Sequence, residues 1–290
     1  MRYCFIAHER KVYPVALMCR LLGVSTTGFY DYLDRRDRPV DPERLELLSW
    51  IKELAKASKF SYGSRRMSKG LRALGYPVGR DMARGLIDEA QVWARYKKPY
   101  KVTTQSGHKK PVFKNLLKRK FDVAAPDRVY ASDITYVWTR EGWLYLAVVI
   151  DLFSRKVVGW SLGTRLSSSL VCDALTMAIW RRRPLPGLIH HSDRGVQYAS
   201  HAFRRLLKAH GILGSMSRKG NCWDNAVVES FFGSMKAERV SWEYYQTREA
   251  ARTDIVDYIT MFYNSHRLHS YLGYKSPDQY ESEARWANVA

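Results

Sequence analysis

The 290-residue sequence is poor in the features of a secreted, membrane-spanning or zinc-built protein. It has four cysteines, Cys4, Cys19, Cys172 and Cys222, and no two of them form a CxxC pair. That argues against a structural zinc site of ordinary spacing, and a disulfide framework is not expected in a chain this long. The expected compartment is reducing cytosol. The longest strongly apolar stretch, Trp143 to Ile150, is far shorter than the roughly 20 residues that span a bilayer. Arg2, His8, Glu9 and Arg10 surround only a short apolar patch, unlike the long apolar core of a secretory signal. No internal repeat of solenoid length occurs. Acids are missing from one segment altogether: residues 97–120 hold nine Lys or Arg and no Asp or Glu.

What is present is positive charge and apolar bulk. The net charge is +20, which points to a polyanionic partner. Residues 1–120 hold 27 Lys or Arg against 11 Asp or Glu, while residues 121–290 hold 21 against 17. A basic arm joined to a nearly balanced domain favours nucleic acid over a merely basic enzyme. Apolar residues make up 46%, with 9 Trp and 19 Tyr, enough for a substantial core.

The first hundred residues carry two candidate helix-turn-helix units. In the first, Val15, Met18 and Cys19 share a face, Gly23 allows a left-handed turn, and Ser25 caps a helix bearing Phe29, Tyr30 and Leu33. A DNA reader and an ordinary helical hairpin fit this segment equally. Residues 41–57 read as an amphipathic helix through Leu47, Leu48, Ile51, Leu54 and Ala55. A helix after SYGSRRM, a break at Gly75-Tyr76-Pro77 and a helix with Met82, Leu86 and Ile87 form the second unit. Arg65, Arg66, Arg80 and Arg84 accompany it, which makes it the better candidate for DNA contact. Residues 97–120, with Lys109 and Lys110, read as a basic linker, either a solvated spacer or a strand tracking DNA phosphates.

After Phe121 the texture changes. VYASDITYVW (129–138), WLYLAVVID (143–151) and KVVGWSL (156–162) read as three strands joined by short turns. A helix with Val171, Ala174, Leu175, Ala178 and Ile179 follows, then GLIHH (187–191), a helix around Phe203, a strand near Leu213 and another helix. The order β-β-β-α-β-α-β-α implies an α/β domain, a mixed five-stranded sheet flanked by helices and similar to the ribonuclease-H-like fold. All-α helix-turn-helix modules precede it. A last helix is expected from Thr247 to Asn264. The expected divisions are 1–40, 41–96, 97–120, 121–240 and 241–290.

Three acids stand in unusual company. Asp133 lies inside an apolar strand, Asp193 ends the fourth strand, and Glu229 sits on a helix beside Val227, Val228, Phe231 and Phe232. Unpartnered burial of such groups is costly, and a shared cation would relieve it. Oxygen-only ligands suit Mg²⁺ or Mn²⁺. Each acid alone also has an ordinary reading: a capped turn at Gly195 for Asp193, a surface ion pair for Glu229, a buried arginine partner for Asp133. Asp224 reads as a helix cap and Asp151 as a partner of Arg155. His190 and His191 alternate faces, and either a place near the metal or a core role is open.

Asp133 and Asp193 are 60 positions apart, 35 residues separate Asp193 from Glu229, and Lys236 follows seven positions later on the same helical face. This is similar to the DD(35)E pattern of retroviral integrases and insertion-sequence transposases. SDITYV, DLFSRKVVGWSL, HHSDRGVQYAS and GNCWDNAVVESFFGSMKAE resemble the OrfB product of the IS-three family of DDE transposases. So do PVALMCRLLGVSTTGFYDYL and YGSRRM near the start, and FYNSHRLHSYLGYKSPDQY near the end.

The resemblance implies a polynucleotidyl transferase with Asp133, Asp193 and Glu229 as catalytic and metal-binding residues, using two Mg²⁺ ions, with Mn²⁺ as a substitute. It implies cleavage that frees a 3′-hydroxyl, strand transfer to the element's other end, and integration into target DNA. It also implies terminal inverted repeats and target duplex as DNA partners, a dimer or larger complex on DNA, and an upstream OrfA product as fusion or partner. In the core, Asn225, one turn before Glu229 on the same face, is expected to contact DNA or to orient a ligand, and Lys236 to hold the terminal DNA backbone, with a solvated lysine as the ordinary reading. Two other classes compete: a nuclease that cuts without joining, and a DNA-binding regulator with an inert catalytic domain. Strand transfer to labelled DNA separates the first, and the effect of Asp133→Asn the second.

Overall fold

The computed structural model describes residues 1–37, 41–95, 112–218 and 225–287. Lys109, Lys110, Trp223 and Asp224 lie outside these. The chain divides into two compact units, Met1–Trp50 and Ile51–Ala290.

The first unit holds α1 (Arg2–Glu9), α2 (Val15–Leu21), α3 (Thr26–Asp37) and the start of α4 (Pro42–Ala57). Ile6, Met18, Cys19, Phe29 and Leu33 form its small core. Ser25 accepts the Gly28 amide at 3.3 Å, so the capped second helix is present as expected. The helix α1 was not expected, because its apolar face is only Phe5, Ile6 and Ala7. Ile6 becomes fully buried only through packing with α2 and α3.

In the second unit, α5 (Ser64–Ala73) and α6 (Arg80–Glu89) pack through Met67, Leu71, Ala83 and Leu86, all buried. The rest of the unit is a five-stranded sheet in the order β3-β2-β1-β4-β5. Its strands are β1 (Val129–Thr139), β2 (Gly142–Asp151), β3 (Val157–Gly163), β4 (Ile189–Ser192) and β5 (Leu213–Met216). The first three form an antiparallel meander, while β4 and β5 run parallel to β1. Parallel pairing needs crossovers, supplied by α7 (Ser168–Arg182) and α8 (His201–Ala209). The two helices pack against one face, where Phe203 and Leu207 of α8 share a core with Ala147, Val149 and Val158 of the sheet. Gly159 lets β3 approach α7: a Cβ there would lie 2.2 Å from the Ala174 carbonyl oxygen. The other face is covered by α9 (Ala226–Glu238) and α10 (Arg248–Asp257), which pack on β1 and β2. With both faces covered, β2 reads as one apolar run without alternation.

The expected helix from Thr247 to Asn264 is two pieces. Thr247 caps α10 by accepting the Ala250 amide at 3.1 Å, and a wider π-helical turn, Tyr258–Tyr263, follows. The wider turn buries Tyr258, Ile259, Phe262 and Tyr263. A 3-10 turn, Ser270–Leu272, then leads to α11 (Pro277–Ala287).

Asp151 does not pair with Arg155. Its carboxylate accepts the Asp127 and Phe153 amides at 2.8 and 2.9 Å, and its nearest ion-pair partner is Arg182 at 3.6 Å. Arg155 instead lies over the Tyr271 ring at 4.0 Å. Asp151 ends β2 facing inward, where α7 brings Arg182 and α11 brings Glu281.

Candidate active site

The strand order decides which acids meet. β1 and β4 are adjacent and parallel, with Ser132 opposite Ser192. Asp133 and Asp193 each come one residue later, so the two stand side by side where the β1–β4 ladder ends. Glu229 arrives from the first turn of α9, which packs on β1.

The three carboxylates sense one another. Asp133 is held well above the usual carboxylate range, first by the crowding around its carboxyl and then by the Asp193 charge, with a smaller contribution from Glu229. Glu229 is raised by partial burial and then by Asp193. Opposing this, the Ile134 amide donates to Asp133 Oδ1 at 2.7 Å, and the Gly195 amide to Asp193 Oδ1 at 2.8 Å. The turn at Gly195 is therefore real, and it fixes Asp193 rather than accounting for it.

Among the described residues, no three His, Cys, Asp or Glu side chains close into a ready metal cage. The acids interact through their charges rather than by contact. The donor chemistry nevertheless fits a hard divalent cation. The ligands are oxygens, their ionised forms repel, and the buried Asn225 Oδ1 has no hydrogen-bond partner among the described residues. A cation would satisfy that oxygen, directly or through water, and would favour the ionised acids.

Asn225 begins α9, and its amide donates to the Ser132 carbonyl at 3.3 Å. Lys236, two turns after Glu229, lies over the Tyr136 ring at 5.2 Å. Burial pulls its ammonium below the usual range, and the Asp133 charge works in the opposite direction. His190 is a core histidine: buried, 2.7 Å from Ser132 Oγ and packed on Phe203, with its pKa pushed down to about 3 by burial and by His191. His191 sits between the Ser215 and Ser217 hydroxyls at 2.9 and 3.2 Å.

Sequence reasoning missed Tyr198. Its buried hydroxyl has no hydrogen-bond partner among the described residues, and burial followed by the Asp133 and Asp193 charges raises its pKa. The signal was the tight Gly195 turn, which returns the chain so that the Tyr198 amide bonds the Gly195 carbonyl at 3.1 Å.

The basic residues lie elsewhere. Arg65 and Arg66 are in the first turn of α5, Arg80 opens α6, and Arg84 is exposed one turn on. Arg66 points inward, donating to the Leu268 carbonyl at 3.0 Å.

Sheet order, clustered acids and a preceding helical pair define an integrase-core polynucleotidyl transferase, and the comparisons agree. Residues 123–222 and 229–284 each match a family described as an integrase core domain, and residues 42–100 match an HTH-like domain. The transposase InsF for insertion sequence IS3A of Escherichia coli (strain K12) is 41% identical over 285 residues, 98% of this chain and 99% of that protein. An uncharacterized 31 kDa protein of insertion element IS600 from Shigella sonnei is 42% identical over 90% of this chain and 96% of its own. The chain belongs to the IS3, or IS-three, family of transposases.

Among solved structures, the catalytic core domain of BIV integrase aligns at a TM-score of 0.41 and 20% identity, covering 57% of this chain and 99% of its own. The HTLV-2 integrase catalytic core domain in complex with magnesium aligns at 0.43 and 17%, covering 55% and 98%. Among the described residues, no helix is long and apolar enough to cross a membrane.

Proposed function

We propose that Asp133, Asp193 and Glu229 are the catalytic acids of this transposase and that they hold two divalent cations, Mg²⁺ or in its place Mn²⁺, with Asp133 shared. The observation that carries this reading is the pairing of β1 with β4, which sets Asp133 beside Asp193, with Glu229 brought to them by the first turn of α9 on β1. Bound there, the ions would neutralise the scissile phosphate and favour the ionised nucleophile.

The protein's own groups do the positioning. Asn225 ties the start of α9 to β1 and leaves an amide oxygen free beside Asp133. Lys236 contacts the backbone of the terminal DNA strand. In the first step water attacks a phosphodiester, the P–O bond to the 3′ oxygen breaks, and a 3′-hydroxyl is freed. In the second, that hydroxyl attacks another phosphodiester and one P–O bond replaces another, so no external energy source is needed. The α5–α6 pair, with Arg65, Arg66, Arg80 and Arg84, contacts duplex DNA, and Lys109 and Lys110 add to the basic surface. Action on two element ends calls for at least a dimer on DNA, with an upstream OrfA product as fusion or partner. The setting is the bacterial cytoplasm at the nucleoid.

The test is Mg²⁺-dependent cleavage and joining of a labelled oligonucleotide carrying the element's end, for the wild type and Glu229→Gln. Joining should vanish in the variant while DNA binding persists. Cleavage without joining in the wild type would favour the nuclease. A wild type inert even with the OrfA region supplied would favour the regulator.

A further inference from the structure

A cleft of about 370 Å³ opens where the helical pair meets the C-terminal segment. The start of α5 contributes Gly63, Ser64, Arg65 and Arg66, α6 contributes Arg80, and the turn after Leu268 contributes Ser270 and Tyr274. Three guanidinium groups line it and no carboxylate does.

Its positive charge is only partly balanced among the described residues. Arg65 and Arg80 are exposed and have no carboxylate partner among the described residues. Arg66 donates to the Leu268 carbonyl at 3.0 Å, and its one carboxylate partner among the described residues is Glu238, at 3.5 Å, which is already held by Arg267 at 2.6 and 2.8 Å and by the Tyr258 hydroxyl at 2.8 Å. One acid thus serves two guanidinium groups. Burial and then Arg267 push the Arg66 pKa down. His269 nearby adds no further positive charge, since burial and the same arginines hold it neutral with a pKa of about 3.

The start of α5 is left open. Its N-cap is Gly63, with no side chain capping the first amides. Backbone strain does not require glycine there, because φ is −87°. Packing does not require it either, because a Cβ would meet nothing within 4 Å. What glycine does is leave the first-turn N–H groups free for an anion. Guanidinium, hydroxyl and amide donors around one concavity match a phosphate.

We propose that this cleft seats one backbone phosphate of bound duplex DNA, with Ser270 and Tyr274 forming its second wall. This rests on the reading that the α5–α6 pair contacts DNA. A phosphate contact carries no sequence information but sets register. The C-terminal segment therefore helps position the DNA that the helical pair reads.

The test uses full-length protein, a fluorescein-labelled duplex of generic sequence, and anisotropy titrations from about 50 to 200 mM salt. Arg80→Ala and Ser270→Glu should each weaken binding by roughly three- to tenfold and reduce the slope of log K against log salt by about 0.9, the value for one phosphate. The double variant should lose little more slope than either single one. Gly63→Asp should weaken DNA binding while the melting temperature holds or rises, because the new side chain caps the helix and occupies the seat. A merely structural role would move both together.

Normal binding by Ser270→Glu and Gly63→Asp, with losses in Arg80→Ala and Arg84→Ala, would overturn the two-walled seat but leave the helical pair as the DNA contact. Normal binding by every variant, or none by the wild type, would overturn both. A thermal shift with inorganic phosphate that Arg80→Ala abolishes, beside unchanged DNA affinity, would assign a free anion and overturn the DNA seat.

Discussion

Asn225 donates its side-chain amide to the carbonyl of Ser132, the residue before Asp133, and so ties the helix bearing Glu229 to the strand bearing the first acid. Asn225 is buried, so breaking this bond leaves the Ser132 carbonyl poorly satisfied, at about 1–3 kcal/mol. Asn225→Ala is expected to slow strand joining by roughly ten- to a hundredfold, the rate equivalent of that energy. DNA affinity should change little. Joining kinetics beside an anisotropy titration check this, and an equal fall in affinity and rate would make Asn225 a DNA contact instead.

Asp133→Asn should abolish cleavage and joining yet stabilise the metal-free protein. The folded-state pKa of Asp133 is raised, so the folded protein holds this proton more tightly than the unfolded chain. Its contribution to stability is present below the ordinary aspartate value of 3.8 and is lost as pH rises through the raised folded value. At neutral pH the variant, which carries no charge there, should melt above the wild type in EDTA. Mg²⁺ should raise the wild-type melting temperature and leave that of the variant unchanged. A variant less stable than the metal-free wild type would contradict this account of the acid cluster.

Much of this was legible in the sequence because the signals were local. The meander follows from three apolar runs and short turns, and the Ser25 cap from one hydroxyl before a helix. The three acids stood out in the sequence as residues out of place in apolar company, and the pairing of β1 with β4 sets two of them side by side. Contacts made across the fold were not. Nothing near Asp151 in sequence indicates Arg182, which α7 brings in, or Glu281 from α11. Arg66 looks like a surface cation beside Arg65, but its partners Leu268 and Glu238 are distant in the chain and become neighbours only once the C-terminal segment has folded back. The π-helical turn after α10 arises because four large side chains, Tyr258 to Tyr263, must all enter one core.

Asp151 predicts a second pH dependence, away from the acid cluster. Burial raises its pKa to about 7, against the two backbone amides it accepts. The sign is that of a raised carboxylate: folding stability from this group falls as pH rises from about 4 toward 7. Thermal melts across that window should show the decline in the wild type and a flatter profile in Asp151→Asn. The variant should be less stable at the acid end, because its amide group cannot accept both the Asp127 and Phe153 N–H bonds. Parallel profiles would remove Asp151 as the cause.

Glu238 is one of the residues that join the second unit's helical pair to its core, beside Tyr62, which accepts the Leu268 amide, and Arg66, which donates to the Leu268 carbonyl. Its carboxylate accepts from Arg267, Tyr258 and, more distantly, Arg66, and it sits on α9 nine residues after Glu229. Arg267 is buried, so Glu238→Ala leaves a buried guanidinium without its partner, which costs about 3–5 kcal/mol. Removing both partners leaves no stranded charge, so Glu238→Ala/Arg267→Met should recover part of the loss. Urea unfolding of the wild type, Glu238→Ala and the double variant measures this. Recovery would show that the single variant's loss comes mainly from the stranded charge. If the double variant is as unstable as Glu238→Ala, the loss lies instead with Tyr258 and Arg66, whose bonds to Glu238 are missing in both.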